Sequence, residues 1–335
     1  MGIILITGAS GFIGSFLVEE ALKRDLTVYA GIRKSSSRQY LKDPRILFAE
    51  IDFTDKEKIK QFLLENKRKG IVFDYIIHNA GLTKAKKKED FYRVNYTITR
   101  NFVEALSESG MVPRKFLYTS SLAAYGPGDH LSMKPVMLSD TPKPVDEYGK
   151  SKLEAEKYLM SLTDFPWLII RPSGVYGPRE TDYFVYFQTI NRGMEPYIGS
   201  RPQILTFIYV RDLVRLILDA MLSDISGRSY FVTDGKQYTS REFAAITKKH
   251  LNRKTLRVTL PAGLVGGIAF AMEKVFSITG SMPTLNTDKF NIMKSLNWTC
   301  QVDELQNDFN FTAEYDLDKG VKEALEWYKK EGWLH

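Results

Sequence analysis

Hydrophobic and polar positions alternate along the first half of the chain in two rhythms. Short, continuous apolar runs at residues 3–7, 27–32, 45–49, 73–78, 115–119 and 167–171 have the length and β-branched or aromatic character of strands. Between them, residues 12–24, 56–67, 91–109 and 148–161 carry apolar side chains at helical spacing. Strands that regularly alternate with helices predict parallel βαβ units. Strands this apolar must be covered on both faces, which predicts an α/β class and a doubly wound parallel sheet.

The regularity breaks after residue 171. Proline or glycine stands at 172, 174, 177, 178, 193, 196, 199 and 202, and helical spacing resumes at 211–222, 240–251 and 318–330. We therefore expect residues 1–171 to form one doubly wound unit. Residues 172–335 should form a smaller mixed α/β substrate lobe interleaved with the last strands of the sheet. The apolar stretch at 260–272 contains Pro261, Gly263, Gly266 and Gly267. It falls short of the ~20 apolar residues that span a bilayer. Its expected place is a buried helix, with a membrane-touching or substrate-lining helix as the second reading.

Composition narrows the function. The chain has 335 residues, 44% hydrophobic and 26% charged, which is enough for a large core. Its formal charge of +7 is mild and suits an anionic small ligand. The basic run Lys84–Lys88 lacks interleaved aromatics, so it reads as a solvated face and nucleic acid is not an expected partner. The single cysteine, Cys300, permits neither an internal disulfide nor a cysteine-type metal centre, and no metal is expected. With a strand-like rather than signal-like start, this points to a reducing, cytoplasmic setting.

The segment Gly8-Ala9-Ser10-Gly11-Phe12-Ile13-Gly14 follows the first strand and opens the first helix. Glycines there allow close backbone approach to a pyrophosphate, and the helix N-terminus favours its charge. The second strand ends in Gly31-Ile32-Arg33-Lys34 and carries no acidic residue to hold a ribose 2′-hydroxyl. Arg33 suits a 2′-phosphate instead, so NADP(H) is favoured, with NAD(H) as the alternative.

Tyr148 and Lys152 stand four apart and share one helical face, and Ser121 lies just after the strand at 115–119. A phenol of ordinary pKa about 10 is a poor acid or base at neutral pH, and a neighbouring ammonium lowers that value. Tyr148 can then exchange a proton with a carbonyl or alcohol oxygen while Ser121 donates a hydrogen bond to it.

With these residues the chain resembles the extended short-chain dehydrogenase/reductases, also called the NAD-dependent epimerase/dehydratase family. The resemblance covers most of the chain. It implies cofactor contacts from the 8–14 loop, from Asp52 and Phe53, from Asn79-Ala80-Gly81, from Thr119, Tyr148 and Lys152, and from Pro172 and Val175 in Arg171-Pro172-Ser173-Gly174-Val175-Tyr176-Gly177-Pro178. It implies Asn95 as a support of the active site and selects Ser121 over Ser120. His78 reads as packed rather than catalytic. A homodimer through the helices at 91–109 and 148–161 is also implied.

Two substrate classes follow from the resemblance. Val28–Arg33 resembles the strand end of dihydroflavonol-4-reductase-like enzymes. The segment before Tyr209 reads Leu205-Thr206-Phe207-Ile208, near which sugar-nucleotide enzymes commonly carry an Arg-Asp pair. The C-terminal third, with Leu260-Pro261, Trp298, Asp303, Gly320 and Trp327, resembles 3β-hydroxysteroid and sterol dehydrogenases. Arg211 departs from a position that is often acidic. The expected reaction is reduction of a bulky ketone or oxidation of a secondary alcohol. The alternatives are a nucleotide-sugar epimerase or dehydratase that retains its cofactor, and a non-catalytic dinucleotide-binding protein.

Overall fold

The computed structural model describes residues 2–279 and 285–335; Met1 and residues 280–284 lie outside it. Two compact units are distinguished, and each gathers separate stretches of chain.

The first unit comprises Met1–Ser121, Ser151–Arg171 and Val214–Tyr230. Its strands are β1 (Ile3–Thr7), β2 (Thr27–Ile32), β3 (Leu47–Glu50), β4 (Tyr75–His78), β5 (Lys115–Thr119) and β6 (Trp167–Pro172). The strand Arg228–Val232 extends the sheet beyond β6, giving seven strands in the order Arg228–Val232, β6, β5, β4, β1, β2, β3. The pairs between β6 and β3 are all parallel. Strand order reverses between β1 and β4, which places a crevice at the carboxyl end of β1.

Alternation along each strand sends neighbours to opposite faces. Leu5, Ile76, Phe116, Tyr118 and Ile169 join Ile59, Leu63, Phe102, Val103, Ala155 and Leu159 in one core under the helices Lys56–Arg68, Ile98–Glu108 and Glu147–Met160. Ile4, Ile6, Val28 and Ala30 are fully buried on the other face, where the helix Phe12–Lys23 packs. Both faces are covered, as the apolar runs require.

The second unit comprises Leu122–Lys150, Pro172–Leu213 and Phe231–His335. The boundary expected at 171 is thus crossed twice, by Leu122–Lys150 in one direction and Val214–Tyr230 in the other. The core of this unit is aromatic: Tyr176, Phe187, Phe207, Tyr209, Phe243 and Tyr328 pack with Leu317, Val321 and Leu325. Gly320 permits that packing, because a Cβ there would lie 2.1 Å from the Tyr176 hydroxyl. Tyr176 is therefore a core residue. The helix Ser240–Leu251 opens with a reciprocal capping box between Thr239 and Glu242.

Two local expectations need correction. The helix expected at 91–109 runs from Lys88 to Glu108 and contains a π-helical segment, Tyr92–Thr97, which hydrophobic spacing does not reveal. The apolar stretch near 260 does form a helix, Ala262–Thr279, but not a buried one. Val265 and Ala269 are buried, whereas Leu264, Ile268, Phe270 and Val275 are 54%, 43%, 60% and 58% exposed. Composition sets how apolar a helix is, and only the surrounding packing decides whether that surface is covered.

Candidate active site

The glycine loop is built by steric necessity. Gly8 has φ +67°, the left-handed region that favours glycine. Gly11 N–H donates to Gly8 O at 3.0 Å and closes the turn before the helix begins at Phe12. A Cβ on Gly14 would stand 2.1 Å from Gly8 O, and one on Gly8 would stand 2.8 Å from the Ala80 backbone. The loop is therefore packed tightly against the turn after β4. No side chain caps the helix at Gly11, and no acidic residue lies in its first turn. Replacing Gly14 with alanine should force the loop apart, lowering stability by about 1–3 kcal/mol. Affinity for a nicotinamide dinucleotide should fall at least ~10-fold. Thermal melting and titration calorimetry measure the two effects.

Behind the loop, a hydrogen-bonded chain holds the strand ends in place. Ala80 N–H donates to Thr7 Oγ1 at 3.1 Å, and His78 Nδ1 lies 2.9 Å from the same oxygen. His78 Nε2 lies 3.1 Å from Thr99 Oγ1, which donates to Asn95 O at 2.7 Å. Burial and the nearby Lys152 ammonium push the His78 pKa down to about 3, so the imidazole is neutral and structural.

Asn95 lies in the π-helical segment and is fully buried. Its Oδ1 accepts from Leu82 N–H at 2.7 Å, and its Nδ2 donates to Leu82 O at 3.0 Å and to Ser151 Oγ at 2.9 Å. One amide thus ties the 79–82 turn to the helix that carries Lys152. The π-helical segment alters the local backbone pairing, and Asn95 O accepts both Thr99 Oγ1 and Tyr118 OH.

Lys152 is buried, and its Nζ donates to Thr119 O at 2.7 Å and sits 4.6 Å from the centre of the Tyr118 ring. A Cβ on Gly81 would lie 3.2 Å from both Lys152 Nζ and Asn95 Oδ1. Burial drives the ammonium's pKa down from 10.5 to about 7, against an upward pull from Glu156. The structure therefore brings together the 8–14 loop, Asn79-Ala80-Gly81, Asn95, Thr119 and Lys152. Thr119 Oγ1 is buried without a hydrogen-bond partner. Among the described residues this orphaned hydroxyl, the tight glycine turn and the uncapped start of the first helix together fit a dinucleotide.

Tyr148 occupies the first turn of the helix Glu147–Met160, one turn before Lys152. That turn is held close to the segment following Ser121: a Cβ on Gly149 would lie 2.2 Å from Ala123 O. Asp146, which sequence reasoning passed over, caps the turn by accepting from Gly149 N–H at 3.2 Å. Its burial raises the carboxyl pKa to about 6. Pro172 and Val175 lie in the second unit.

Ser120 is buried and Ser121 half-buried. Ser120 donates to Glu156, whose carboxylate also accepts Arg171 Nε at 3.0 Å and Nη2 at 2.9 Å. Arg171 and Glu156 are both fully buried. This pair was missed from the sequence because its partners are fifteen residues apart, on a helix and a strand. Arg33 is exposed two residues beyond Gly31, whose carbonyl accepts Ala9 N–H at 3.4 Å. Asp52 is exposed and engaged with Lys58 Nζ at 2.7 Å and Thr54 N at 3.0 Å, which hold its pKa down. It is not a helix cap; Asp55 caps the next helix instead. Phe53 packs edge-on against Phe102. Cys300 is buried, which pushes its thiol up to about 12.

Comparison with known proteins agrees with this architecture. A UDP-glucose 4-epimerase from Thermotoga maritima, solved with UDP-glucose, superposes with a TM-score of 0.78 at 19% identity, covering 98% of this chain and 99% of that one. N-acetyl-alpha-D-glucosaminyl-diphospho-ditrans,octacis-undecaprenol 4-epimerase of Escherichia coli O157:H7 is 26% identical, over 97% of this chain and 94% of its own. The decarboxylating sterol-4-alpha-carboxylate 3-dehydrogenase of Mus musculus is 24% identical, over 83% of this chain and 76% of its own. The model of the NAD dependent epimerase/dehydratase family matches residues 4–232. That match spans the glycine loop, Asn95 and the Tyr148–Lys152 helix, and the chain belongs to this family, the extended branch of the short-chain dehydrogenase/reductase enzymes.

Proposed function

We propose that this enzyme is an NAD(P)-dependent oxidoreductase that interconverts a bulky, hydrophobic ketone and its secondary alcohol. The observation that carries the reading is the buried Lys152, held by Thr119 one helical turn after Tyr148. Residues 8–14, Asn79, Ala80, Gly81 and Thr119 would hold the dinucleotide, with Arg33 at its 2′-phosphate. When bound, the nicotinamide supplies the hydride to the carbonyl carbon, or accepts it in the reverse direction. Tyr148 gives its phenolic proton to the substrate oxygen during reduction and takes it back during oxidation. The Lys152 ammonium favours the phenolate and would hold the ribose hydroxyls of the bound dinucleotide. Ser121 donates to the substrate oxygen; the commitment of Ser120 to Glu156 supports that assignment. Asn95 positions the helix through Ser151.

The hydrophobic substrate class rests on Leu205-Thr206 and on the sterol dehydrogenase relative. Thr206 is turned to the chain's own backbone, donating to Trp298 O at 2.9 Å, and Leu205 carries no charge for a diphosphate. The second reading, a nucleotide-sugar epimerase, is favoured by the undecaprenol-diphosphate and UDP-glucose relatives. A panel of steroid, flavonoid and aryl ketones beside sugar nucleotides, followed by NADPH absorbance, separates them. Turnover of apolar ketones is expected, and turnover restricted to UDP- or dTDP-sugars sinks the proposal. With Arg33→Ala, the KM for NADPH should rise ~10-fold or more while that for NADH holds, because the guanidinium pairs only with the 2′-phosphate. A wild-type preference for NADH would refute the NADP(H) assignment.

A further inference from the structure

We propose that the Leu256–Leu260 strand and the Ala262–Thr279 helix form a docking surface for an anionic phospholipid bilayer. This deepens the reading of a hydrophobic substrate but stands on separate observations.

The helix presents Leu264, Ile268, Ala271 and Val275 at i, i+4, i+7 and i+11, which places them on one stripe. All four are exposed, and Phe270 beside them is 60% exposed. The strand leading in adds Leu256 and Leu260, 72% and 38% exposed, and Leu256 stands in register with the exposed Met194. So much apolar surface in one segment exceeds the scattered exposed side chains of an ordinary surface. Gly263 and Gly267 also lie on the open side, where a Cβ would meet nothing within 4 Å. A helix with three glycines and few buried side chains gains little from its own packing. An apolar phase against the stripe would supply the missing burial. No helix among the described residues is long and apolar enough to cross a membrane, so this one would lie along the surface.

Charge identifies the occupant. At the N-terminal end of the helix, a shallow, open depression is lined by Arg201, Arg241 and Arg257. Its rim residue Gly199 donates to Leu260 O at 2.9 Å, two residues before the helix begins. Arg201 donates to His130 O at 3.5 Å, Arg241 to Ser200 O at 3.4 Å, and Arg257 Nε lies 3.5 Å from Glu195. All three are exposed. Lys274 extends over the Phe270 ring, and Lys294 lies over Phe290, whose ring packs at Gly266. The helix's only carboxylate, Glu273, accepts from Thr287 and so faces the following helix. Cations thus border the apolar stripe while its acid is turned away. A second copy related by a twofold axis would oppose cation to cation at the rim. Phosphate headgroups above an acyl layer match both features.

The test uses the full chain and vesicles of about 70% phosphatidylcholine and 30% phosphatidylglycerol, beside vesicles of phosphatidylcholine alone. Co-sedimentation should be at least ~10-fold stronger with the anionic vesicles and should weaken as salt rises. Ile268→Glu with Val275→Glu should reduce binding ~10-fold or more by placing charge in the acyl layer. Arg201→Ala with Arg241→Ala should reduce it several-fold and remove most of the salt dependence. Neither pair touches the catalytic residues, so turnover of a water-soluble ketone should persist in both, and Tyr148→Phe should still bind vesicles. If the redox reading fails, vesicle binding is untouched; if docking fails, soluble turnover is untouched. The proposal is overturned if neither vesicle binds, if both variant pairs bind like the wild type, or if light scattering shows a dimer that the Ile268/Val275 pair dissociates without any vesicle binding.

Discussion

Replacing Tyr148 with phenylalanine should lower kcat by roughly 10²- to 10⁴-fold, the range that a positioned acid–base group supplies. The ring and its packing are kept and only the transferable proton is removed. Dinucleotide affinity, measured by calorimetry, should change less than ~3-fold, since the pyrophosphate is proposed to rest on the glycine loop. Unchanged activity toward the true substrate would show that the phenol takes no part. Lys152→Met provides a second arm with a readout that does not depend on substrate. The folded pKa of Lys152, about 7, lies below its ordinary 10.5. Between those values the unfolded chain holds more protons than the folded one. The lysine's contribution to stability therefore grows as pH rises from about 7 to about 10.5 and is least favourable below that window. The variant should lose activity, and its melting temperature relative to wild type should be highest near neutral pH and decline toward pH 10. A difference that is flat across the window would place the ammonium in water rather than in the interior.

Breaking the Glu156–Arg171 pair should be the most destabilising single change in the first unit. Both side chains are fully buried, and Ser120 leans on the same carboxylate. Glu156→Leu removes one partner and strands the guanidinium, which costs about 3–5 kcal/mol in comparable buried pairs. Glu156→Leu combined with Arg171→Leu removes both charges and should recover much of that loss, because the desolvation penalty disappears with the pair. Urea unfolding of the two variants reads the difference. If the double variant were no better than the single one, the pair would owe its effect to shape rather than charge. Since Ser120 directly precedes Ser121, the single variant should also lower kcat, which separates this pair from a purely distant structural contact.

Much of this protein was legible in the order of its residues. Strands buried on both faces must be continuous apolar runs, so β1, β2, β4, β5 and β6 announce themselves, and the doubly wound sheet follows from their alternation with helices. The glycine loop was legible because backbone crowding admits no other residue: Gly14 lies against Gly8 O whatever the rest of the chain does. The one-turn spacing of Tyr148 and Lys152 is a property of any helix and needs no tertiary information.

What the tertiary structure alone decided are relations between residues distant in sequence. Asn95 could be named as a support, but its bonds to Leu82 and Ser151, and the π-helical segment that frames it, arise only when the helix meets the turn after β4. Lys152 has an ordinary ammonium in water, and its depressed pKa comes entirely from the burial that folding imposes. The Glu156–Arg171 pair and the exposed stripe of Ala262–Thr279 follow the same logic in opposite directions. Charged residues went inside because each met its partner, and apolar residues stayed outside because nothing among the described residues covers them. Sequence fixes what a side chain prefers, whereas burial depends on which neighbours the whole fold delivers to it.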